Sequence, residues 1–177
     1  MTNMENNDFT TKGGVTVRRT TETETYEGAR MLLVDSLDSH RGVLLSSDFE
    51  YPGRYTRWDM GFIDPPVEVS AIGRAARVRA LSDRGRILVD AVAKRLPELD
   101  FLESHALTDD GFTVQIKQST ERFPEEQRSK QPSTFSLVRE FLDFFSAPQE
   151  EAFFGLYGSF GYNLAFQFEP LDRKQNL

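Results

Sequence analysis

Two adjacent hydroxyl side chains at the end of an apolar run form the first candidate binding site in the sequence. Leu44 and Leu45 precede Ser46 and Ser47, an order that is typical of a strand ending in polar residues. A serine hydroxyl can donate or accept a hydrogen bond, so it can satisfy a polar group of a partly buried ligand. The pattern therefore predicts a small-molecule contact at the two serines.

A second candidate lies a few residues later, where arginine, tyrosine and tryptophan occur close together. Residues 54–59 have the sequence RYTRWD. Arginine and tyrosine supply hydrogen-bond donors, and Trp58 supplies a large apolar ring with a polar edge. The same composition also fits a half-buried strand that carries an arginine–aspartate pair, so the segment alone leaves both interpretations open.

The other chemistry-bearing residues form no recognisable catalytic or metal-binding pattern. The two histidines, His40 and His105, are expected in turns, with no carboxylate or second histidine at metal-ligand spacing. Asp109 and Asp110 precede Gly111, which favours a turn over a metal loop. The sequence also lacks a phosphate-binding glycine loop and a nucleophile elbow. We therefore predict no catalytic and no metal-binding residue in this chain.

Residues 153–168 form the most apolar segment, which is rich in phenylalanine and tyrosine and interrupted by three glycines. Gly155, Gly158 and Gly161 superficially suggest a dinucleotide fingerprint, but aromatic residues fill the spacer positions and no helix and acidic residue follow at the required distance. A buried strand is the preferred interpretation, with glycines where another backbone or a ligand comes close.

Composition and charge limit the classes of function. The 177 residues carry a net charge of −7 and no basic patch, which argues against a nucleic-acid partner. No apolar run approaches the roughly 18 residues that a membrane span requires. The chain has no cysteine, and its first residues lack the apolar core of a signal peptide, so a cytoplasmic location is expected. Residues 1–12 are interpreted as a disordered tail.

Hydrophobic periodicity predicts an α+β fold. Apolar residues at helical spacing predict about three helices, from about residue 23 to 38, after a turn at 83–85, and after the N-cap Ser133. Thr21 and Glu24 are expected to form the capping box of the first helix. Strands are predicted at residues 15–19, 43–47, 54–62, 67–72, 76–81, 112–116 and 153–168. Runs of strands with irregularly placed helices indicate a largely antiparallel sheet.

Three segments resemble the N-terminal half of anthranilate synthase component I. They are residues 51–59 followed by Asp64-Pro65-Pro66, the charged connector at 125–130, and the glycine-aromatic segment at 155–169. The block at 51–59 is most similar to the bacterial form in which component I is fused to its glutamine amidotransferase. The resemblance runs from about residue 13 to 177 and implies one N-terminal regulatory domain, as an incomplete part of the family's fold.

The resemblance also implies a ligand site. The family has a Leu-Leu-Glu-Ser motif that binds tryptophan, and residues 44–47 correspond to it with Ser46 in place of the glutamate. The Arg54-Tyr55 pair matches the family's Gly-Arg-Tyr segment. The tryptophan-binding residues implied in this way are Leu45, Ser46, Ser47, Arg54 and Tyr55.

Activity and partners follow from the same resemblance. The family makes anthranilate from chorismate, with a magnesium ion and with ammonia from the amidotransferase, and tryptophan inhibits it. Its catalytic and metal-binding residues lie in a C-terminal chorismate-binding half that has no counterpart up to residue 177. The resemblance therefore implies a truncated portion that is inactive by itself. The implied partners are the missing half, the amidotransferase domain and tryptophan.

Two other interpretations stay open. The chain could be a free-standing module that binds an amino acid or a protein partner. It could also be the same portion of a sibling enzyme such as aminodeoxychorismate synthase, although the block at 51–59 favours anthranilate synthase. A sheet edge left bare by truncation would favour self-association into a homo-oligomer, which light scattering can test.

Overall fold

The computed structural model of the chain describes residues 4–47, 51, 53–54, 58–119, 123–147 and 154–168. The described residues divide into two compact units. We call Met1–Asp8 with Arg18–Pro66 the hairpin unit, and Phe9–Val17 with Val67–Leu177 the sheet unit. Antiparallel sheets and a few helices make up both units, which confirms the predicted α+β class. No helix in the described part of the chain is long and apolar enough to cross a membrane.

The first two strands, β1 (Met4–Thr10) and β2 (Thr16–Glu22), pair with each other. Side-chain hydrogen bonds join Asn6 to Thr20 and Asp8 to Arg18. Because the residue number rises along β1 while that of its partner falls along β2, the two strands are antiparallel. Residues 4–10 therefore form a strand, where a disordered tail was expected. That interpretation rested on low hydrophobicity, whereas cross-strand polar pairs also stabilise a strand.

Helix α1 (Tyr26–Leu37) and the strands β3 (Gly42–Ser47) and β4 (Trp58–Ile63) complete the hairpin unit. The N-cap of α1 is Thr25, whose hydroxyl accepts a hydrogen bond from the backbone N–H of Gly28 at 3.2 Å. The capping box expected at Thr21 is therefore wrong by one helical turn. The antiparallel pairing of β3 with β4 confirms the sequence-based prediction.

The sheet unit is built on an antiparallel sheet of four strands in the order β5-β6-β8-β7. Their bounds are β5 Val67–Ile72, β6 Ala75–Ala80, β7 Leu102–Thr108 and β8 Gly111–Ile116. Strand β7 was missed because all its residues after Leu102 are exposed, so it shows no alternation of apolar and polar residues. His105 consequently lies within a strand and not in a turn, which corrects the prediction.

Helices α2 (Asp83–Ala93) and α3 (Thr134–Phe144) supply the other layer of this unit. The hydroxyl of Ser82 caps α2 by accepting from the backbone N–H of Gly85, so the turn predicted at residues 83–85 is the first turn of the helix. Ser133 is the N-cap of α3, as predicted, and its backbone N–H donates to the Ser136 hydroxyl at 3.2 Å.

The buried hydrophobic core lies entirely within the sheet unit. Val78 and Phe112 are opposite one another in the sheet, and both are completely buried. Side chains from both helices join them in one cluster. Its members are Ala76, Val78, Val89, Val92, Leu96, Leu102, Phe112, Val114, Ile116, Leu137, Phe141 and Phe144.

The turn between β1 and β2 packs on the C-terminal end of α3. The backbone N–H groups of Lys12 and Gly13 donate to the carbonyls of Ser146 and Phe144 at 2.9 and 2.7 Å. The bond to Phe144 satisfies a carbonyl of the last helical turn, which has no intrahelical donor. The ammonium group of Lys12 also contacts the Asp143 carboxylate at 2.6 Å.

The glycine-aromatic segment is not a strand in its described part, residues 154–168. It has no assigned secondary structure up to Gly161 and then forms a short 3-10 helix, Tyr162–Gln167. Ring contacts hold it against α3, with Phe154 on Phe145 and Phe160 on Phe135. The sequence-based prediction of a strand is therefore wrong, because the described part of the segment is held by aromatic packing on a helix and not by backbone hydrogen bonds to a neighbouring strand.

A cluster of hydrogen bonds fixes the end of this segment. The Gln167 side chain donates to the Gly73 carbonyl and the Thr134 hydroxyl, and it accepts from the backbone N–H of Thr134. The Arg74 guanidinium donates to the carbonyls of Gln167, Lys117 and Pro132. Partial burial of Arg74 lowers its pKa. We call this cluster, Gly73, Arg74, Thr134 and Gln167, the Gln167 clamp.

Candidate functional site

Three of the predicted ligand residues, Leu45, Ser46 and Ser47, lie on strand β3 of the hairpin unit. The register sets Leu45 opposite Met60, Ser46 opposite Asp59 and Ser47 opposite Trp58. Because successive side chains of a strand point to opposite faces, Ser46 lies on one face, and Leu45 and Ser47 lie on the other. The site predicted from the sequence is therefore divided between two faces of one strand.

Helix α1 covers the face that carries Ser46. A Cβ atom added at Gly61 would collide with Leu33, and one at Gly42 would collide with the Phe62 carbonyl and lie 2.8 Å from Leu37. Gly42 and Gly61 share their face with Ser46 because they occupy alternate positions of the two strands. The two glycines thus permit a close approach of α1, and larger side chains would displace the helix.

Asp59 connects three elements on the covered face. The Ser46 hydroxyl donates to Oδ1 of Asp59 at 2.5 Å, and the Tyr26 hydroxyl donates to Oδ2 at 2.5 Å. The guanidinium Nε of Arg30 lies 3.3 Å from Oδ2. The Asp59 side chain is only 8% exposed, while that of Arg30 is 40% exposed. A carboxylate in such a place needs donors, since burying an unpaired charge is costly. We call these four residues the Asp59 node.

The opposite face is apolar and partly exposed. Leu45 is 42% exposed and Trp58 is 49% exposed, while Met60 and Ser47 are half-buried. An indole ring, an alkyl chain, a thioether and one hydroxyl thus lie side by side on the β3–β4 pair. Such a surface can receive an aromatic ligand by apolar contact and orient it with one hydrogen bond.

Arg54, another predicted ligand residue, lies outside the two strands. The backbone N–H of Arg54 donates to the Tyr51 carbonyl at 2.9 Å. The Arg54 guanidinium lies 6.0 Å from the centre of the Tyr51 ring, a cation–π contact. Tyr55 lies outside the described residues.

Sequence reasoning gave no site role to Tyr26, Arg30 or Asp59. Tyr26 and Arg30 lie in the predicted first helix without an assigned role, and Asp59 was noted only as part of the 54–59 segment and its arginine–aspartate pair. The available signal was positional, because Ser46 ends one apolar run and Asp59 precedes the apolar residues of the next strand. Arg30 could not be identified as a partner of Asp59 from the sequence, because the contact depends on how α1 packs on the β3–β4 pair.

Elsewhere in the described chain, histidine and carboxylate side chains form pairs and no larger cluster. His40, which precedes β3, and Asp64, which follows β4, form an exposed contact with 2.8 Å between Nδ1 and Oδ2. The Asp110 carboxylate accepts hydrogen bonds from Arg77 and Thr108, which lower its pKa. Among the described residues, no group of three or more histidine and carboxylate side chains could hold a metal ion.

The sheet unit has a groove of about 480 Å³ on the outer face of its sheet. Small side chains from all four strands line it, including Ser70, Ala75, Ala106 and Thr113. The one charged side chain in the lining, Arg77, is paired with Asp110 at 2.8 Å. The lining surface is mostly apolar and also carries the polar side chains of Ser104, His105 and Gln115.

Comparison with known proteins identifies the family. The chain is 45% identical over 166 residues to an anthranilate synthase of Azospirillum brasilense. The match covers 94% of this chain and 22% of that enzyme, so the chain spans about a fifth of its relative's length. No family model matches the sequence, and no solved structure matches it. At this identity over nearly its whole length, the chain belongs to the anthranilate synthase family, and it corresponds to a portion of such an enzyme.

Proposed function

We propose that the chain is the N-terminal regulatory portion of an anthranilate synthase and supplies one wall of its tryptophan feedback site. The whole enzyme would convert chorismate and ammonia from glutamine to anthranilate, in tryptophan biosynthesis. The observation that carries the proposal is the half-exposed surface of Leu45, Ser47 and Trp58, at the position where the resemblance implies tryptophan contacts.

The geometry of β3 supports recognition of an amino acid. Among the described residues, β3 pairs with β4 alone, so its other edge offers backbone donors and acceptors. The ammonium and carboxylate groups of an amino acid match such an edge. A ligand lying along it could place its indole ring on the face of Leu45 and Ser47 and reach Ser46 around the edge.

A single wall should bind weakly. A drug-sized ligand usually buries most of its surface in its pocket, whereas one strand surface covers a minor part of it. We therefore propose that a chorismate-binding half of the enzyme completes the pocket. Inhibition would follow because tryptophan binds one arrangement of the two halves more tightly than the other.

The same proposal assigns catalysis outside this chain. Magnesium, implied for the whole enzyme by the family, would bind in the chorismate-binding half, and the amidotransferase domain would supply ammonia. The chain is thus expected to be inert when mixed with chorismate, ammonia and magnesium. Detectable anthranilate fluorescence above that of a no-protein control would contradict this assignment.

The binding test is a titration of the chain with L-tryptophan, followed by amide chemical shifts. We expect a dissociation constant of about 1 mM or weaker, raised further by Ser47→Ala. Ser70→Ala, which removes an exposed strand serine from the sheet unit, is the matched control and should leave binding unchanged. A micromolar constant would favour the free-standing amino-acid-binding module instead. Absence of any shift at about 20 mM would contradict the proposed wall.

A further inference from the structure

The Ser46 hydroxyl is an exposed group whose hydrogen is already committed. It donates that hydrogen to Oδ1 of Asp59, and the residue itself is exposed at the surface of the hairpin unit. A hydroxyl has one hydrogen and two lone pairs. With its hydrogen held by the carboxylate, Ser46 has only acceptor capacity left for a ligand.

Asp59 itself is poorly placed to meet a ligand. Its side chain is 8% exposed, and its two oxygens accept from Ser46 and Tyr26 and lie beside Arg30. An ionised carboxylate accepts hydrogen bonds and donates none. In the bond between the two side chains, Ser46 must therefore be the donor and Asp59 the acceptor. The Arg30 guanidinium lies beside Oδ2, the oxygen that Ser46 does not use, and balances the buried charge there.

We propose that Ser46 accepts a hydrogen bond from the ammonium group of the amino-acid ligand, and that Asp59 is the positioning residue that fixes this polarity. The inference rests on the proposed amino-acid site and adds how that site selects its ligand. An ammonium donor at Ser46 would be linked through the hydroxyl to the carboxylate, and hydrogen bonds to charged groups are the stronger kind. An anionic group at the same place would meet lone pairs and be rejected.

The inference explains how serine can occupy this strand position without losing selectivity for an amino acid. The group that would meet the ammonium is the Ser46 oxygen, which is left as an acceptor because Asp59 on the neighbouring strand holds the hydroxyl hydrogen. The consequence is specific. The site should prefer L-tryptophan over indole-3-propionate, which has the same ring and carboxylate and lacks the ammonium group.

The test measures that preference as the ratio of the two dissociation constants, from amide chemical shifts of the whole chain. In the wild type L-tryptophan should bind more tightly. Ser46→Ala should reduce the ratio about tenfold, the usual effect of losing a hydrogen bond to a charged group, without weakening indole-3-propionate. Asp59→Asn should also reduce the ratio, because an amide can donate to Ser46 and occupy its lone pairs.

Two controls separate this effect from general damage. Asp35→Asn removes the same charge from an exposed position of the hairpin unit and should leave the ratio unchanged. Trp58 is the only tryptophan of the chain, so its fluorescence without ligand reports whether the β3–β4 pair remains folded in each variant. If Asp59→Asn unfolds the pair, Ser46→Ala alone decides, since it removes only one hydroxyl.

The outcomes are distinct. An unchanged ratio in Ser46→Ala, or equal binding of both ligands by the wild type, would overturn the role of Ser46 and leave the tryptophan wall standing. Failure of the wild type to bind either ligand would overturn the proposed wall and this inference with it. A reduced ratio in both variants, with an unchanged ratio in Asp35→Asn, would support it.

Discussion

The hairpin unit and the sheet unit are stabilised in different ways. In the sheet unit, a cluster of buried apolar side chains joins the four strands to α2 and α3. In the hairpin unit, no described residue is fully buried, and α1 contributes none to a core. Its helix is held on the β3–β4 pair by two close glycine contacts and by the Asp59 node.

This difference in burial indicates which unit is suited to bind a ligand. Burial of apolar surface is the dominant favourable term in folding, so the sheet unit supplies most of the stability of the described chain. The hairpin unit keeps Leu45 and Trp58 half-exposed and places polar groups around one carboxylate. Surfaces that bind ligands or complete another part of an enzyme need such exposure, at a cost in stability.

The largest expected effect is on the core of the sheet unit. Phe112→Ala should lower the free energy of unfolding by about 3–5 kcal/mol, because it leaves a cavity at a fully buried position. Ile72→Ala, at a position that is 86% exposed on the same sheet, should change it by less than about 0.5 kcal/mol. Denaturant titration followed by circular dichroism measures both, and equal losses would contradict the assigned core.

A smaller and local effect is expected where α1 approaches the β3–β4 pair. Gly61→Ala adds a methyl group against Leu33 and the Val43 carbonyl, and such overpacking costs about 1–3 kcal/mol. The loss should appear as a shift of Trp58 fluorescence, with the transition of the sheet unit unchanged. Gly158→Ala, where an added Cβ meets no atom within 4 Å, is the control. A shared loss in both units would contradict independent stabilisation.

The elements that could be predicted are those in which apolar residues repeat on a buried face or in which a capping residue marks the start of a helix. β5, β6 and β8 were predicted within two residues, and Ser133 was the predicted cap of α3. Exposed β7 and the polar strand β1 were not predicted, because neither buries a repeating apolar face. The glycine-aromatic segment misled the prediction, since composition does not distinguish a buried strand from aromatic packing on a helix.

The candidate site was predictable only in part. The adjacent serines and the resemblance predicted ligand contacts on β3. Its division between two faces follows from strand alternation and could have been predicted from the expected strand itself. The Asp59 node could not, because it depends on the register that sets Ser46 opposite Asp59 and on α1, which brings Tyr26 and Arg30 to the same carboxylate.

The Gln167 clamp offers a comparable local test in the sheet unit. Gln167→Ala removes an acceptor for the first backbone N–H of α3 and two donated hydrogen bonds, which should cost about 1–3 kcal/mol. Limited proteolysis near Tyr162 should become faster while the core stays folded. Gln118→Ala, at an exposed position, should have no effect. Unchanged proteolysis in Gln167→Ala would mean that aromatic packing alone holds the segment.

The smallest effect concerns acid stability. Hydrogen bonds from Arg77 and Thr108 lower the pKa of Asp110 below its ordinary value of 3.8. A lowered pKa stabilises the fold above the ordinary value, and this stabilisation disappears as the pH falls through the folded value. Asp110→Asn should therefore flatten the acid side of the stability profile, whereas Asp109→Asn should not. Identical acid limbs in wild type and Asp110→Asn would contradict this pairing.

The most direct test of the central claim is amide hydrogen exchange, measured with and without saturating L-tryptophan. The account predicts the slowest exchange in β6, β8 and α3, clearly faster exchange in α1, β3 and β4, and protection by tryptophan confined to the latter three. Equal protection of the two units without ligand would contradict the comparison. Protection by tryptophan within the sheet unit alone, or none anywhere, would contradict the location of the candidate site.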